Sequence, residues 1–236
     1  MECFQGEAMD NKLRNIRLLA TGGTIAGRGA SGSQMTGYSA GVIGVDSVID
    51  AVPEIRQFAN VVGEQIVNIG SSAMTNEVWL KLTRRVNQLL ATEGVDGIVI
   101  THGTSTLEET AYFLNLVIKS DKPVILTGAM RPASAISADG PINILNAVCV
   151  ACSPKSRGKG VLVVLNDQIN GAREVTKCNT THVETFQAPD FGLLGYVQDC
   201  QSYFYRESTR RHTLRSEFDV STLVIPVFDQ LRSQID

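Results

Sequence analysis

The sequence predicts an α/β protein in which a doubly wound parallel sheet carries helices on both faces. Short apolar runs at residues 16–20, 98–101, 123–126 and 161–165 do not alternate with polar residues, so each reads as a strand buried on both faces. Helical periodicity fills the stretches between them, which makes successive strands parallel with right-handed crossovers. Nearly every strand run also ends in a glycine-polar turn, and open α/β sheets place their chemistry at strand carboxyl ends.

The first run, with Arg17 its last charged residue, leads into Thr21-Gly22-Gly23-Thr24-Ile25-Ala26-Gly27. Glycines permit the tight turn and leave backbone N–H groups bare, so the Thr24 hydroxyl is expected in a shallow cup of donors. Residues 28–41 form a Gly/Ser-rich stretch carrying Tyr38, long for a βα connection and suited to a lid. Gly27, Gly29 and Gly32 match G-x-G-x-x-G, but no helix opens there and no acidic residue follows a second strand at the right distance. A dinucleotide site is not expected.

A short helix over residues 46–52 stops at Pro53, and a strand over 61–69 ends in Gly70-Ser71-Ser72. Thr75 offers an N-cap to a helix with Val78, Leu82, Val86, Leu89 and Leu90 inward, stopped at Gly94. The strand at 98–101 ends in His102-Gly103-Thr104-Ser105, after which Thr106 and Glu109 have capping-box spacing for a helix that turns Ala111, Leu114 and Ile118 inward. The strand at 123–126 ends in Thr127-Gly128-Ala129-Met130-Arg131, a helix spans about 141–152, and the strand at 161–165 follows. Beyond Asn166 the alternation stops. Asn170-Gly171 reads as a hairpin turn carrying Lys177 outward, and residues 201–218, with Arg206, Arg210, Arg211 and Arg215, read as a polar linker without periodicity.

In this topology Thr24, Ser71, Thr104 and Ala129, each just past a different strand, fall along one edge of the sheet. One such turn is ordinary; several on one edge predict a small-molecule pocket. Its inventory is hydroxyls (Thr24, Tyr38, Ser71, Thr104, Ser105), the cation Lys177 and backbone donors. There is no G-x-S-x-G elbow, no P-loop and no cysteine paired with a histidine. Hydroxyls with a nearby lysine suit acyl transfer, provided a base takes the proton and N–H groups hold the oxyanion.

Composition narrows the partners. A chain of 236 residues with 43% apolar and 19% charged residues can bury a globular core. A net charge of −3 and a pI near 5.7 argue against a nucleic-acid footprint. No apolar run has membrane-spanning length, and the N-terminus, with Glu2, Glu7 and Asp10, lacks the order of a signal peptide. As written, the chain is expected in the cytoplasm; an incomplete start would point to the periplasm instead. The 5 cysteines, Cys3, Cys149, Cys152, Cys178 and Cys200, are an odd, scattered set that fits reduced thiols, with the C-x-x-C of Cys149 and Cys152 serving as small core residues. His102, His182 and His212 lie too far apart for ligand spacing, so neither metal nor cofactor is expected.

Residues 21–27, Gly63-Glu64-Gln65 through Asn68-Ile69-Gly70-Ser71, Ile100-Thr101-His102-Gly103-Thr104 with Leu107-Glu108-Glu109-Thr110, Gly128-Ala129-Met130-Arg131-Pro132, and Val175-Thr176-Lys177 through Asn179-Thr180-Thr181 together resemble the bacterial type II L-asparaginases. The resemblance is dense from Asn15 to about Val220, and motifs of this length in this order are highly specific. It implies a flavodoxin-like domain and a ping-pong amidohydrolase, active on L-asparagine with L-glutamine as the alternative amide, without a cofactor. In it Thr24 attacks the side-chain amide, Tyr38 assists proton transfer, and Thr104 with Lys177 orients or activates the attacking group. Gly103, Thr104 and Ala129 face the amide, and Gly70, Ser71 and Ser72 hold the substrate's α-carboxylate. A homo-oligomer is implied as well.

Two departures stand out. The family has an aspartate after the Thr104 position to hold the substrate's α-ammonium, and here that position is Ser105. Losing one partner of a desolvated charge pair costs roughly 2–5 kcal/mol, so asparagine binding is expected to suffer. The family also continues into a C-terminal domain that donates a carboxylate to the neighbouring subunit's site. The expected organisation here is an extension over residues 1–14, the α/β domain over 15–200, an interdomain-type linker over 201–220 and a divergent tail over 221–236. The rival reading is a non-catalytic module that binds a small carboxylate or assembles with full-length subunits.

Overall fold

The computed structural model describes residues 13–34 and 37–220. The expected tail over 221–236 and most of the N-terminal extension, Cys3 included, lie outside the described residues. The strands are β1 (Arg14–Gly22), β2 (Ala59–Ile69), β3 (Gly97–Thr101), β4 (Val124–Thr127), β5 (Val161–Leu165), β6 (Gln168–Gly171), β7 (Thr176–Lys177), β8 (Phe186–Gln187), β9 (Gly195–Gln198) and β10 (Gln201–Phe204). The helices are α1 (Val45–Asp50), α2 (Asn76–Ala91), α3 (Leu107–Val117) and α4 (Gly140–Cys152). The main sheet runs β10-β9-β6-β5-β4-β3-β1-β2, while β7 and β8 form a separate ribbon. β1 to β5 pair in parallel, and β6, β9 and β10 extend the sheet antiparallel.

The parallel strands are apolar without alternation because both faces are covered. On one face Leu18, Val99, Ile125 and Leu162 pack against Val48 and Ile49 of α1 and Ile144, Ala147 and Val148 of α4. On the other, Leu19, Ile98, Ile100, Leu126 and Val163 pack against Leu82, Val86 and Leu89 of α2 and Leu107, Ala111 and Leu114 of α3. The chain reverses its direction of winding between β1 and β3, the switch point where such sheets open a crevice. Among the described residues no helix is long and apolar enough to cross a membrane.

Several local expectations need correction. The hairpin after β5 turns at Asn166-Asp167, whose φ values of 50° and 63° are the left-handed pair of a type I′ turn, and Asn170 instead pairs with Val163 inside β6. The stretch read as linker begins with a strand: β10 pairs with β9 through a second left-handed turn at Asp199-Cys200. That turn brings Cys200 onto α4, where it forms a disulfide with Cys149, so these thiols are not free; Cys152 and Cys178 are. Thr75 caps α2 through the Val78 N–H at 3.4 Å. Thr106 makes no capping box, because its hydroxyl donates to the Ser71 carbonyl at 2.8 Å and ties α3 to the end of β2.

Candidate active site

The β1 turn is built from two glycines in left-handed conformation, Gly22 at φ 103° and Gly23 at φ 81°. A Cβ on Gly23 would stand 2.3 Å from the Gly103 Cα, so the turns after β1 and β3 touch backbone to backbone and admit no side chain between them. The expected cup of free donors is only partly present, since the Gly23 N–H already donates to the Ile69 carbonyl at 2.9 Å. Thr24 follows in a 3-10 turn and is buried, and its Oγ1 lies 2.6 Å from the Tyr38 hydroxyl. Tyr38 reaches it because Gly27 leaves room: a Cβ there would come within 3.0 Å of the ring. The loop is pinned at its base by the paired backbones of Arg28 and Ser39 and by Gly41 N–H on the Gly23 carbonyl at 3.1 Å. Tyr38 is therefore closed onto Thr24.

A second hydroxyl pair sits beside the first. Thr104, buried just past β3, accepts a hydrogen bond from Lys177 Nζ at 2.8 Å. Burial lowers the pKa of Lys177, and the carboxylate of Glu108 partly opposes that shift. Among the hydrogen bonds of the described residues none joins one pair to the other; the Gly23–Gly103 contact sets them side by side.

Ser71 is buried at the end of β2, and its Oγ accepts the Ser105 N–H at 3.0 Å, which locks the β2 turn to the β3 turn. Gly70 is half-buried, whereas Ser72 and Ser105 are exposed. Gly103 must be glycine here, because a Cβ would meet Ser71 Oγ at 2.6 Å. Ala129 is fully buried, and its segment is held from below: Asp139 accepts the N–H groups of Met130 and Arg131, each at 2.9 Å, and Asn143 donates to the Gly128 carbonyl at 3.0 Å.

His102 lies beneath the β3 turn with no accessible surface. Its Nδ1 is 2.7 Å from the Gly103 carbonyl, an acceptor only, so Nδ1 carries the proton and Nε2 accepts from the Thr110 hydroxyl at 3.0 Å. Thr110 in turn accepts the Trp79 indole N–H at 2.7 Å. Every polar atom of this relay is satisfied with a neutral imidazole, and burial pulls the His102 pKa down to about 4. Asp139, Asn143, Thr110 and Trp79 are supports that the sequence reading passed over. Asp139 was readable only as the residue ahead of a helix beginning Gly140-Pro141.

Clefts of about 570 Å³ between β2 and α2 and of about 400 Å³ beside Arg157 and His212 lie elsewhere, and the strand-end groups line neither. Among the described residues no group of His, Cys, Asp and Glu side chains could hold a metal ion.

Fold and site together define a doubly wound α/β domain that carries two hydroxyl pairs at the switch point of its sheet. Residues 15–210 match the asparaginase N-terminal family, and the chain belongs to it. It is 59% identical over 211 residues to L-asparaginase 2 of Bacillus subtilis (strain 168), covering 89% of this chain and 56% of that relative. It is 50% identical over 220 residues to L-asparaginase 2 of Escherichia coli (strain K12), covering 93% of this chain and 62% of the relative. A glutaminase-asparaginase of Pseudomonas fluorescens biotype A is 53% identical over 212 residues, 90% of this chain and 58% of that one. The crystal structure of a probable cytoplasmic L-asparaginase from Campylobacter jejuni superposes with a TM-score of 0.87 at 53% identity, over 89% of this chain and 64% of that chain. The chain thus spans less than two thirds of the length of these relatives.

Proposed function

We propose that this domain hydrolyses the side-chain amide of L-asparagine, with L-glutamine as a second substrate, through an acyl-enzyme on Thr24. What carries the reading is one juxtaposition: the Thr24–Tyr38 hydrogen bond at 2.6 Å beside the Thr104–Lys177 hydrogen bond at 2.8 Å. In the first half-reaction Thr24 Oγ1 bonds to the amide carbon, its proton passes by way of Tyr38 to the departing nitrogen, and the C–N bond breaks to release ammonia. In the second, water adds to the ester carbon with Thr104 and Lys177 taking its proton. The C–Oγ1 bond then breaks, and Thr24 regains a proton. The buried backbone of Ala129 and Gly103 faces the developing oxyanion, and Gly70, Ser71 and Ser72 receive the α-carboxylate. The domain proper is taken as residues 15–200, working in a homo-oligomer, with no cofactor. The relatives' names include both cytoplasmic and periplasmic proteins.

Ser105 supports a second reading. It is exposed and neutral where an ammonium-binding carboxylate is expected, which suits a module that binds a small carboxylate without turning it over. Hydroxylamine separates the two, because it intercepts an acyl-enzyme as a hydroxamate. The enzyme reading predicts hydroxamate from the parent and at least roughly a thousandfold less from Thr24→Ala at unchanged fold. Retained aspartate binding without hydroxamate supports the module.

A further inference from the structure

Lys177 lies in a ribbon that shares no backbone hydrogen bonds with the main sheet. β7 and β8 are each a residue pair, joined as Thr176↔Gln187 and Lys177↔Phe186. Val175 and Phe186 anchor the ribbon by burying their side chains against α3 and β5. Within the ribbon the register is held by these pairs and by Thr185, whose carbonyl accepts the Cys178 N–H and whose hydroxyl accepts the Asn179 N–H, and a slip of one residue would turn Lys177 away from Thr104.

A carboxylate ties the ribbon to α3. Glu108, in the first turn of α3, accepts the Thr176 hydroxyl on Oε1 at 2.8 Å and the Lys177 backbone N–H on Oε2 through a short hydrogen bond. The neighbouring Glu109 is exposed and does what a first-turn acid ordinarily does, complementing the helix dipole. Glu108 instead turns toward the ribbon and grips consecutive residues across 68 and 69 positions of sequence. The same α3 follows directly on the turn that holds Thr104, so one helix start positions both members of the Thr104–Lys177 pair.

We infer that Glu108 is the positioning residue of the Lys177 arm, holding β7 on α3 through the Thr176 hydroxyl and the Lys177 backbone N–H so that the side-chain amine reaches Thr104. This rests on the reading of Thr104 and Lys177 given above as its context. Thr104 and Thr176 contribute no charge around Lys177, and His102 behind the β3 turn is held neutral. Glu108 is the group whose field counteracts the desolvation of the amine.

The test is the titration of Lys177 in the full chain, followed by NMR with 13Cε-labelled lysine and assigned by Lys177→Arg. Amide exchange at Lys177 is measured alongside. Glu108→Gln should leave the fold intact, raise the free-amine fraction of Lys177 at fixed pH by roughly threefold or more, and speed exchange of the Lys177 amide. Glu108→Asp, which keeps the charge but shortens the reach, should restore part of the titration and little of the exchange protection. An unchanged Lys177 titration and unchanged protection in Glu108→Gln overturn the inference. Should that variant fail to fold, the same null result in Glu108→Asp overturns it. Neither readout needs turnover. A titration or protection that moves in a chain giving no hydroxamate keeps this inference and sinks the catalytic reading, whereas hydroxamate with both unmoved does the reverse.

Discussion

The two hydroxyl pairs at the switch point use the same residue type in opposite settings. Thr24 meets a phenol delivered by a surface loop, in a turn that carries no charge, and its partner rests on glycine space and a few backbone bonds. Thr104 meets an amine on a separate ribbon, with a carboxylate holding that ribbon by its Lys177 backbone N–H and a buried neutral histidine behind the threonine. The first pair is held by backbone bonds at the base of a surface loop; the second is held by side chains from α3, β7 and α2. Within the proposed reaction this difference assigns the roles. A nucleophile that must pass its proton to the leaving group belongs with the phenol, and a proton acceptor that must stay aimed belongs with the amine held from α3.

The comparison breaks most visibly at Lys177. Lys177→Met keeps the side chain's length and removes its proton acceptor, so hydrolytic turnover of L-asparagine should fall by about two to four orders of magnitude, while the fold and the Thr24–Tyr38 pair persist and hydroxylamine still traps the acyl-enzyme. A loss below tenfold would mean that the second pair is scaffolding.

Acid sharpens the contrast next, because the two pairs rest on differently titrating supports. His102 has its pKa pulled down to about 4 in the folded state, against about 6.5 when unfolded. Between those values the unfolded chain binds the extra proton, so stability rises with pH: the contribution is complete above about 6.5 and is lost as pH falls through that window to about 4. The loss is about 3 kcal/mol. Denaturant midpoints across this range should show it in the parent. His102→Gln, which gives up the titrating group, should have a lower midpoint at pH 7 and a flatter pH dependence; equal pH dependence in the two would detach His102 from the β3 turn.

The smallest effect is expected at Ser105, which lies beyond both pairs on the exposed rim. If it occupies the place of an ammonium-binding carboxylate, Ser105→Asp should tighten L-aspartate binding about tenfold, worth 1.4 kcal/mol. Calorimetry showing no gain would point to a ligand without an α-amino group.

How much of this was legible in the sequence follows from the range of the interactions. The parallel half, β1 to β5 with α1 to α4, was readable because a strand buried on both faces and a capped amphipathic helix are local patterns. The antiparallel end was misread where two turn signals competed. Asn166-Asp167 and Asn170-Gly171 both have turn chemistry, and what decides is the register Leu165↔Gln168, which buries Ile169 against the α4 face. The Cys149–Cys200 bridge spans 51 residues and depends on that same end of the sheet. At the site, Thr24 and Thr104 announced themselves through their glycine turns and Lys177 as the pocket's candidate cation, whereas the pairing of Lys177 with Thr104 came only through family resemblance. The Glu108 grip, the Asp139 clamp and the His102 relay could not be read at all, since each joins residues by side-chain geometry that no local spacing encodes.

The central claim is that Thr24, not Thr104, carries the acyl group. The direct measurement is to incubate the chain with L-asparagine, quench in acid and locate the acyl adduct by peptide mass spectrometry, with Lys177→Met used to slow the second half-reaction. The account predicts an aspartyl ester on the peptide containing Thr24 that accumulates in Lys177→Met and vanishes in Thr24→Ala. An ester on the peptide containing Thr104, or one that survives Thr24→Ala, would contradict it.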